Sequence, residues 1–503
     1  MHEIVTLQFG SQSNYLGTHF WNTQESYFTY PPEPESAVNH DIHFRAGIAP
    51  DGSDTFTPRA LIYDLKGAFG SMRKINALYE AEDDRNILDQ TGVWPSKPII
   101  QRAEPIPQSV YQEHLDAGLE PPKLSTSTVK YWSDYSRVYY HPKSIVQLSE
   151  FDVNDKLMPF ESWDVGMDLF EKLEREVDLV DRDLRPFVEE CDGLQGLQIM
   201  TGVDDAWGGW ASGWIERLRD EYGKLSIWTW GLGDQGANTT VSRARETSAA
   251  NCQLITITAA PGGTVFSIHT RVQSTGQDTK LPILRHNVSM APSDGRHGTL
   301  QDIEDTINST GKRRIAKLGM SIANPDVLAD KTTEGLANAQ NAGSASSRHR
   351  GECNTDMSDF DIDAFTKDYR IASRKDVKRE HIFARAESYR GAWQLSDDAG
   401  RDPRDRFGDG PAVQRYIAPL LFPVLDSYPS IFDVGSGHTE KLAVHTGLTT
   451  STAVAEQVRA IEQIVKRLVT VDEREALCNG LQVIAEEYDE GWDGDFTDSD
   501  DDD

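Results

Sequence analysis

Cysteine is scarce in this 503-residue chain: the four residues Cys191, Cys252, Cys353 and Cys478 are far apart and form no Cys-x-x-Cys pair. That excludes a zinc ribbon or a dithiol redox site and reads as free thiols in a reducing compartment. Long apolar runs are also missing. Nothing approaches the ~20 residues that a membrane-spanning helix needs, so no span is expected. No Lys or Arg precedes Arg45, which leaves the N-terminus without the basic region of a secretory signal or the arginines of a mitochondrial presequence. There is no Walker lysine motif, no Gly-x-Ser-x-Gly elbow, no His-Glu-x-x-His and no adjacent histidine pair, so no catalytic or metal-ligating residue is assigned. His438 and His445, across a glycine-rich stretch, read as loop histidines. Positive charge is in deficit, with 50 Lys and Arg against 81 Asp and Glu for a net −31. The last eighteen residues hold eleven of those carboxylates, and removing them leaves −20. The body is therefore acidic, which argues against nucleic acid, where Lys and Arg on phosphate dominate binding.

What is present alternates between strand and helix. Residues 4–9 form an apolar run that reads as a buried strand, residues 10–14 as a tight turn, and residues 15–28 as a helix with Leu16, Phe20 and Phe28 inward. Residues 59–65 give a short strand with Asp64 near its C-terminal end, where α/β folds place ligand contacts; an aspartate there also serves as a turn or helix cap. Residues 95–127 are proline-rich and predict an irregular excursion with at most one short helix. Residues 131–145 are aromatic and read as core or interface. Apolar residues from Trp163 to Phe187 recur at helical spacing and predict one helix over 162–191.

Next comes a strand at 194–200, a glycine-rich turn at 201–213, a helix at 214–222 and a strand at 225–230. This order cradles phosphates in many nucleotide-binding proteins. A phosphate needs close backbone N–H groups and no fixed negative charge in the way. Here Asp204 and Asp205 stand in the turn, and a carboxylate about 4 Å from a phosphate costs roughly 4 kcal/mol at an effective dielectric of 20. Gly208, Gly209 and Gly213 fit equally a helix packed closely on the sheet. If a nucleotide such as GTP does bind, Gly10, Ser11, Gln12, Asn14, Asp64, Gly208 and Gly209 are the candidate contacts, with magnesium neutralising the two aspartates.

Further on, residues 253–258 predict a strand and residues 302–318 a helix, with loops at 332–359 and 397–410. Residues 416–425 carry Pro419 and Pro423 and read as an edge strand or extended segment. Two amphipathic helices precede the acidic tail. The expected organisation is a nucleotide-binding-type domain at 1–235, a mixed α/β region at 236–435, C-terminal helices at 436–490, and a disordered tail at 491–503.

The first twenty-one residues, from Met1-His-Glu-Ile-Val-Thr-Leu-Gln-Phe-Gly to Trp21, resemble the start of a tubulin, as do Pro58-Arg-Ala-Leu-Ile-Tyr-Asp-Leu65 and Cys191-Asp-Gly-Leu-Gln-Gly-Leu-Gln198. They come in order and at tubulin-like intervals. The tubulin glycine signature is replaced by Asp204-Asp-Ala-Trp-Gly-Gly-Trp210, the acidic residue two after Asp64 by Lys66, and the turn cysteine by Gln12. With Tyr139-Tyr-His-Pro-Lys-Ser-Ile145 and Trp228-Thr-Trp-Gly231, these departures resemble the Misato family of tubulin-like proteins. The resemblance implies an α/β tubulin-like fold, with a Rossmann-type, mostly parallel sheet, then a mixed α/β region and C-terminal helices. It also implies a role in partitioning mitochondria and inheriting mitochondrial DNA in fungi, from the cytosolic face of the mitochondrion. The expected mode is binding or assembly with cytoskeletal or mitochondrial-surface proteins. The alternatives are a GTPase and a tubulin- or chaperone-associated factor.

Overall fold

Strand β1 (Glu3–Phe9) is buried along its whole length and stands in the middle of a sheet. The structure, a computed structural model, describes residues 3–28, 38–48, 54–72, 106–125, 127–203, 205–233, 263–269, 291–292, 298–323, 361–363, 381–391, 412–418, 420–426, 441–468 and 471–489. The expected strand at 253–258, the loops at 332–359 and 397–410, the tail, Asp204 and His438 lie outside them. After β1 the chain runs α1 (Gly10–Glu25), β2 (Phe44–Ile48), β3 (Asp54–Pro58), β4 (Ala60–Lys66), α2 (Val110–Asp116) and β5 (Ile145–Asp152). Then follow α3 (Trp163–Val177), α4 (Arg185–Glu189), β6 (Leu194–Gly202), α5 (Ala206–Glu221), β7 (Ser226–Gly233) and β8 (Gly263–His269).

The order β5-β4-β1-β6-β7-β8 is parallel throughout. Strands are added first on one side of β1 and then on the other, as in doubly wound nucleotide-binding sheets, so the topological switch point falls between β1 and β6. Side chains alternate across the sheet. Val5, Leu7 and Phe9 join Leu61, Tyr63, Leu197, Ile199, Phe170, Trp210 and Trp214 on the face covered by α3 and α5. Ile4 and Ile62 join Leu16, Phe20, Trp21, Trp132, Trp228 and Trp230 on the α1 face. Each fully buried large side chain contributes about 1.5–3 kcal/mol, so both faces are well anchored.

Beyond β8 come β9 (Ala291–Pro292), α6 (Leu300–Ile307), β10 (Ile315–Ala323), β11 (Asp361–Asp363), β12 (Ile382–Arg390) and β13 (Ala412–Ala418). They are followed by β14 (Phe422–Pro423), β15 (Lys441–Ser451), α7 (Ala453–Leu468) and α8 (Val471–Asp489). β10 pairs parallel with β8 over Ile315 and Ala316, then antiparallel with β15, which is antiparallel to β12. The sheet is thus continuous across residue 235 and becomes mixed. The apolar stretch at 416–425 divides into β13, paired with β12 and briefly with β9, and β14 on β15. α7 and α8 bury Val454, Val458, Leu481 and Ile484, and the Tyr488 hydroxyl accepts from the Ile315 N–H at 2.6 Å and donates to its carbonyl at 2.9 Å.

Four expected elements need correction. Residues 10–14 are no turn: α1 starts at Gly10, whose φ of +85° swings β1 directly into the helix. Residues 201–213 are no loop either, because α5 starts at Ala206 and holds the glycines inside it. The helix over 162–191 breaks at Asp178, a left-handed residue with φ 48°, and resumes as a π turn (Val180–Leu184) and α4. In 302–318 the helix stops at Ile307, and Gly311, at φ +71°, leads into β10.

Candidate functional site

A cleft of about 580 Å³ opens at the C-terminal edge of β1, β4, β5 and β6, where two helices begin. On one side stands α1. Its first two turns bring Ser11 and Asn14 onto Asp64 at the end of β4: the Ser11 hydroxyl lies 3.0 and 3.1 Å from the two carboxylate oxygens, and the Asn14 amide donates at 2.8 Å. The Leu65 backbone N–H donates to the same carboxylate at 2.9 Å. Burial pushes the Asp64 pKa up to about 6 despite these donors. Gln12 is exposed at the mouth. Phe9, the residue before the helix, provides no side-chain cap. Gly17, two turns further on, lets α1 lie on the buried Gln8, whose Oε1 would be 2.3 Å from a Cβ there.

The other side is α5, and it is built differently. Asp205 caps it: Oδ1 accepts the Trp207 backbone N–H at 2.9 Å. Trp207 then lies across the start of α1, since a Cβ on Gly10 would come within 2.5 Å of the indole Nε1. The indole is held by Phe160, 5.0 Å between ring centroids, and is only 6% exposed. Gly208 and Gly209 stand apart from the cleft group: Gly208 lies against the Val203 carbonyl and the Trp163 ring, and Gly209 faces α3. A Cβ on Gly209 would sit 2.0 Å from the Trp163 carbonyl oxygen, and one on Gly166 would sit 1.7 Å from the Ala206 oxygen. These glycines therefore bring helix onto helix, where the sequence had suggested helix onto sheet.

So Gly10, Ser11, Asn14 and Asp64 come together, Gln12 stands at the rim, and Gly208 and Gly209 do not join them. Sequence reasoning missed Trp207 as a cover, Phe160 behind it, and the rim loop after β5, with Asp152, Asp155 and Lys156. The rule that ligands gather beyond the C-terminal ends of parallel strands would have pointed to that loop. Five carboxylates line the cleft (Asp64, Asp152, Asp155, Glu161 and Asp205) against one cation, Lys156. For a phosphate the fit is therefore poor. A helix N-terminus attracts an anion through its free N–H groups, and at α5 the chain's own carboxylate already takes that place. Among the described residues no group of His, Cys, Asp or Glu is disposed to hold a metal ion, and no helix is long and apolar enough to cross a membrane.

Comparison with known proteins matches residues 2–117 to the Misato Segment II tubulin-like domain and residues 121–280 to a tubulin domain. The chain is 68% identical over 527 aligned residues to protein DML1 of Phaeosphaeria nodorum, covering 100% of both chains. It is 43% identical to protein dml1 of Aspergillus clavatus, over 99% of this chain and 100% of that one. With protein dml1 of Schizosaccharomyces pombe it shares 34% identity over 46% of this chain and 52% of the relative. A parallel sheet with its switch point at the two helix starts, a mixed second half, paired C-terminal helices and a full-length relative at this identity agree: the chain belongs to the Misato/DML1 family of tubulin-like proteins.

Proposed function

We propose that this protein partitions mitochondria and mitochondrial DNA as a tubulin-like binding or assembly protein, working at the cytosolic face of the mitochondrion with cytoskeletal or mitochondrial-surface proteins. The observation that favours binding over phosphoryl chemistry is the α5 start. Asp205 takes the Trp207 amide and Trp207 fills the gap to Gly10, so the cleft is shaped by protein groups where a triphosphate would need donors. The mitochondrial role rests on the family resemblance. Two measurements test the two parts separately. Titrating the purified chain with labelled GTP and magnesium is expected to give no saturable binding at micromolar concentration, and magnesium-dependent binding there would favour a GTPase. Depleting the protein in its own fungus is expected to leave daughter cells short of mitochondrial DNA, read by quantitative amplification; unchanged mitochondrial DNA would sink the inheritance reading.

A further inference from the structure

At the far end of α1 lies a second cavity, of about 240 Å³. It is bordered by Glu25, by Gln112, Leu115 and Asp116 of α2, and by the segment 136–140. The sixteen residues of α1 separate it from the cleft by roughly 23 Å at 1.5 Å per residue.

Its charges are lopsided. Arg137 is the one cation among its lining residues, and it is already engaged: it lies 2.9 Å from Asp426 and donates to the Tyr111 hydroxyl at 3.2 Å. Tyr111 in turn donates to Asp426 at 2.6 Å. The Arg137–Asp426 pair cancels, which leaves Glu25 and Asp116 as the net charge. Asp116 accepts from Gln108 at 2.6 Å, but the Glu25 carboxylate has no hydrogen bond or ion pair among the described residues. Only the charge of Arg137, already shared with Asp426, offsets the burial of that carboxylate, so its charged form is costly to keep. The rest of the lining includes Met72, Leu115, Val138 and the Tyr139 ring. Large apolar side chains are exposed in the same segments: Val110 and Leu119 at 58% each and Tyr139 at 55%. An apolar surround about a charged recess is how protein partners anchor a buried cation, and a free small amine would leave that surround uncovered.

We propose that this cavity receives an arginine or lysine side chain from a partner protein, its stem on Met72, Leu115 and Tyr139 and its cationic head at Glu25 and Asp116. Residues flanking that cation in the partner are apolar and cover Leu119 and Tyr139. The surface is independent of the cleft and of the nucleotide question.

The test uses the full chain and capped Leu-X-Leu tripeptides, with X as Arg, Lys, citrulline or Glu, titrated by ligand-observed NMR. The Arg and Lys peptides are expected to bind, and the citrulline peptide, which keeps the shape without the charge, to bind about tenfold more weakly. Glu25→Gln should level Arg with citrulline while the unfolding midpoint stays put, and Leu119→Ser should weaken every peptide. If Glu25→Gln disturbs the fold, Asp116→Asn reads the same difference. Equal binding of Arg and citrulline, indifference to Glu25→Gln and to Asp116→Asn, or no binding of any peptide at about 10 mM would overturn the proposal. Binding that appears only after Arg73→Ala with Lys74→Ala would assign the cavity to the residues that follow Met72 and would likewise overturn it.

Discussion

Two helices begin at the head of the same parallel sheet, and they begin in opposite ways. α1 leaves β1 through Gly10 with no side chain on its first amides, and it turns Ser11 and Asn14 toward Asp64. α5 leaves β6 with Asp205 on its first amides and lays Trp207 over the neighbouring helix start. The first N–H groups of any helix need an acceptor from outside its own ladder. A chain that supplies one from its own capping side chain, as Asp205 does, has a stable helix and gives up the anion site. The α1 start thus lacks a capping side chain but lies under Trp207, and the α5 start is capped by Asp205.

The largest expected effect attacks what holds α5 in that position. Gly209→Ala puts a methyl group 2.0 Å from the Trp163 carbonyl oxygen, where backbone must move. A stability loss of about 3 kcal/mol or more is expected in urea unfolding. A loss below about 1 kcal/mol would mean that α3 and α5 do not meet at their backbones.

Asp64 sharpens the comparison on the α1 side. Its pKa rises from 3.8 to about 6 in the folded protein, so the fold favours the protonated form. Stability from this group is present at acid pH and is lost as pH rises from about 4 through 6, about 3 kcal/mol in all at ~1.4 kcal/mol per unit. Subtracting the curve for Asp64→Asn isolates this term. His19 and His43, pushed down to about 4 by burial, act with the opposite sign but are present in both proteins. A flat difference curve between pH 4 and 7 would show that Asp64 is not held away from water.

The smallest effect tests the closed helix itself. Asp205→Ala should cost about 1 kcal/mol of stability in anion-free buffer through loss of the cap. It should also make the protein respond to added phosphate, with a rising unfolding midpoint that the wild type lacks. If both proteins respond alike, Asp205 is not what keeps anions from α5.

Much of the architecture was legible in the residues. The run at 4–9 announced a buried central strand, the carboxylate near the end of the strand at 59–65 marked the cleft, and the stripes from Val454 to Tyr488 announced the end helices. The site was half legible. Ser11, Asn14 and Asp64 could be placed because they follow strands whose ends must lie together in a parallel sheet. Gly208 and Gly209 could not, because a glycine has no side chain to reveal which way it faces, and a glycine-rich stretch looks like a loop until a second helix is packed on it. The helix expected over 302–318 failed for a related reason: helical spacing persisted past Ile307, and only Gly311 and the pairing of β10 with β8 turned the chain into the sheet.

The sequence by itself determined an acidic α/β chain whose apolar runs must be buried, and its motifs at residues 1–21, 58–65 and 191–198 carried the resemblance to tubulins. Tertiary structure decided that Trp207 covers Gly10, that Asp205 closes α5, and that Glu25 borders a cavity whose one cation, Arg137, is already paired with Asp426. Each of these depends on which side chain meets which neighbour across distant stretches of chain, and spacing along the chain carries no record of that.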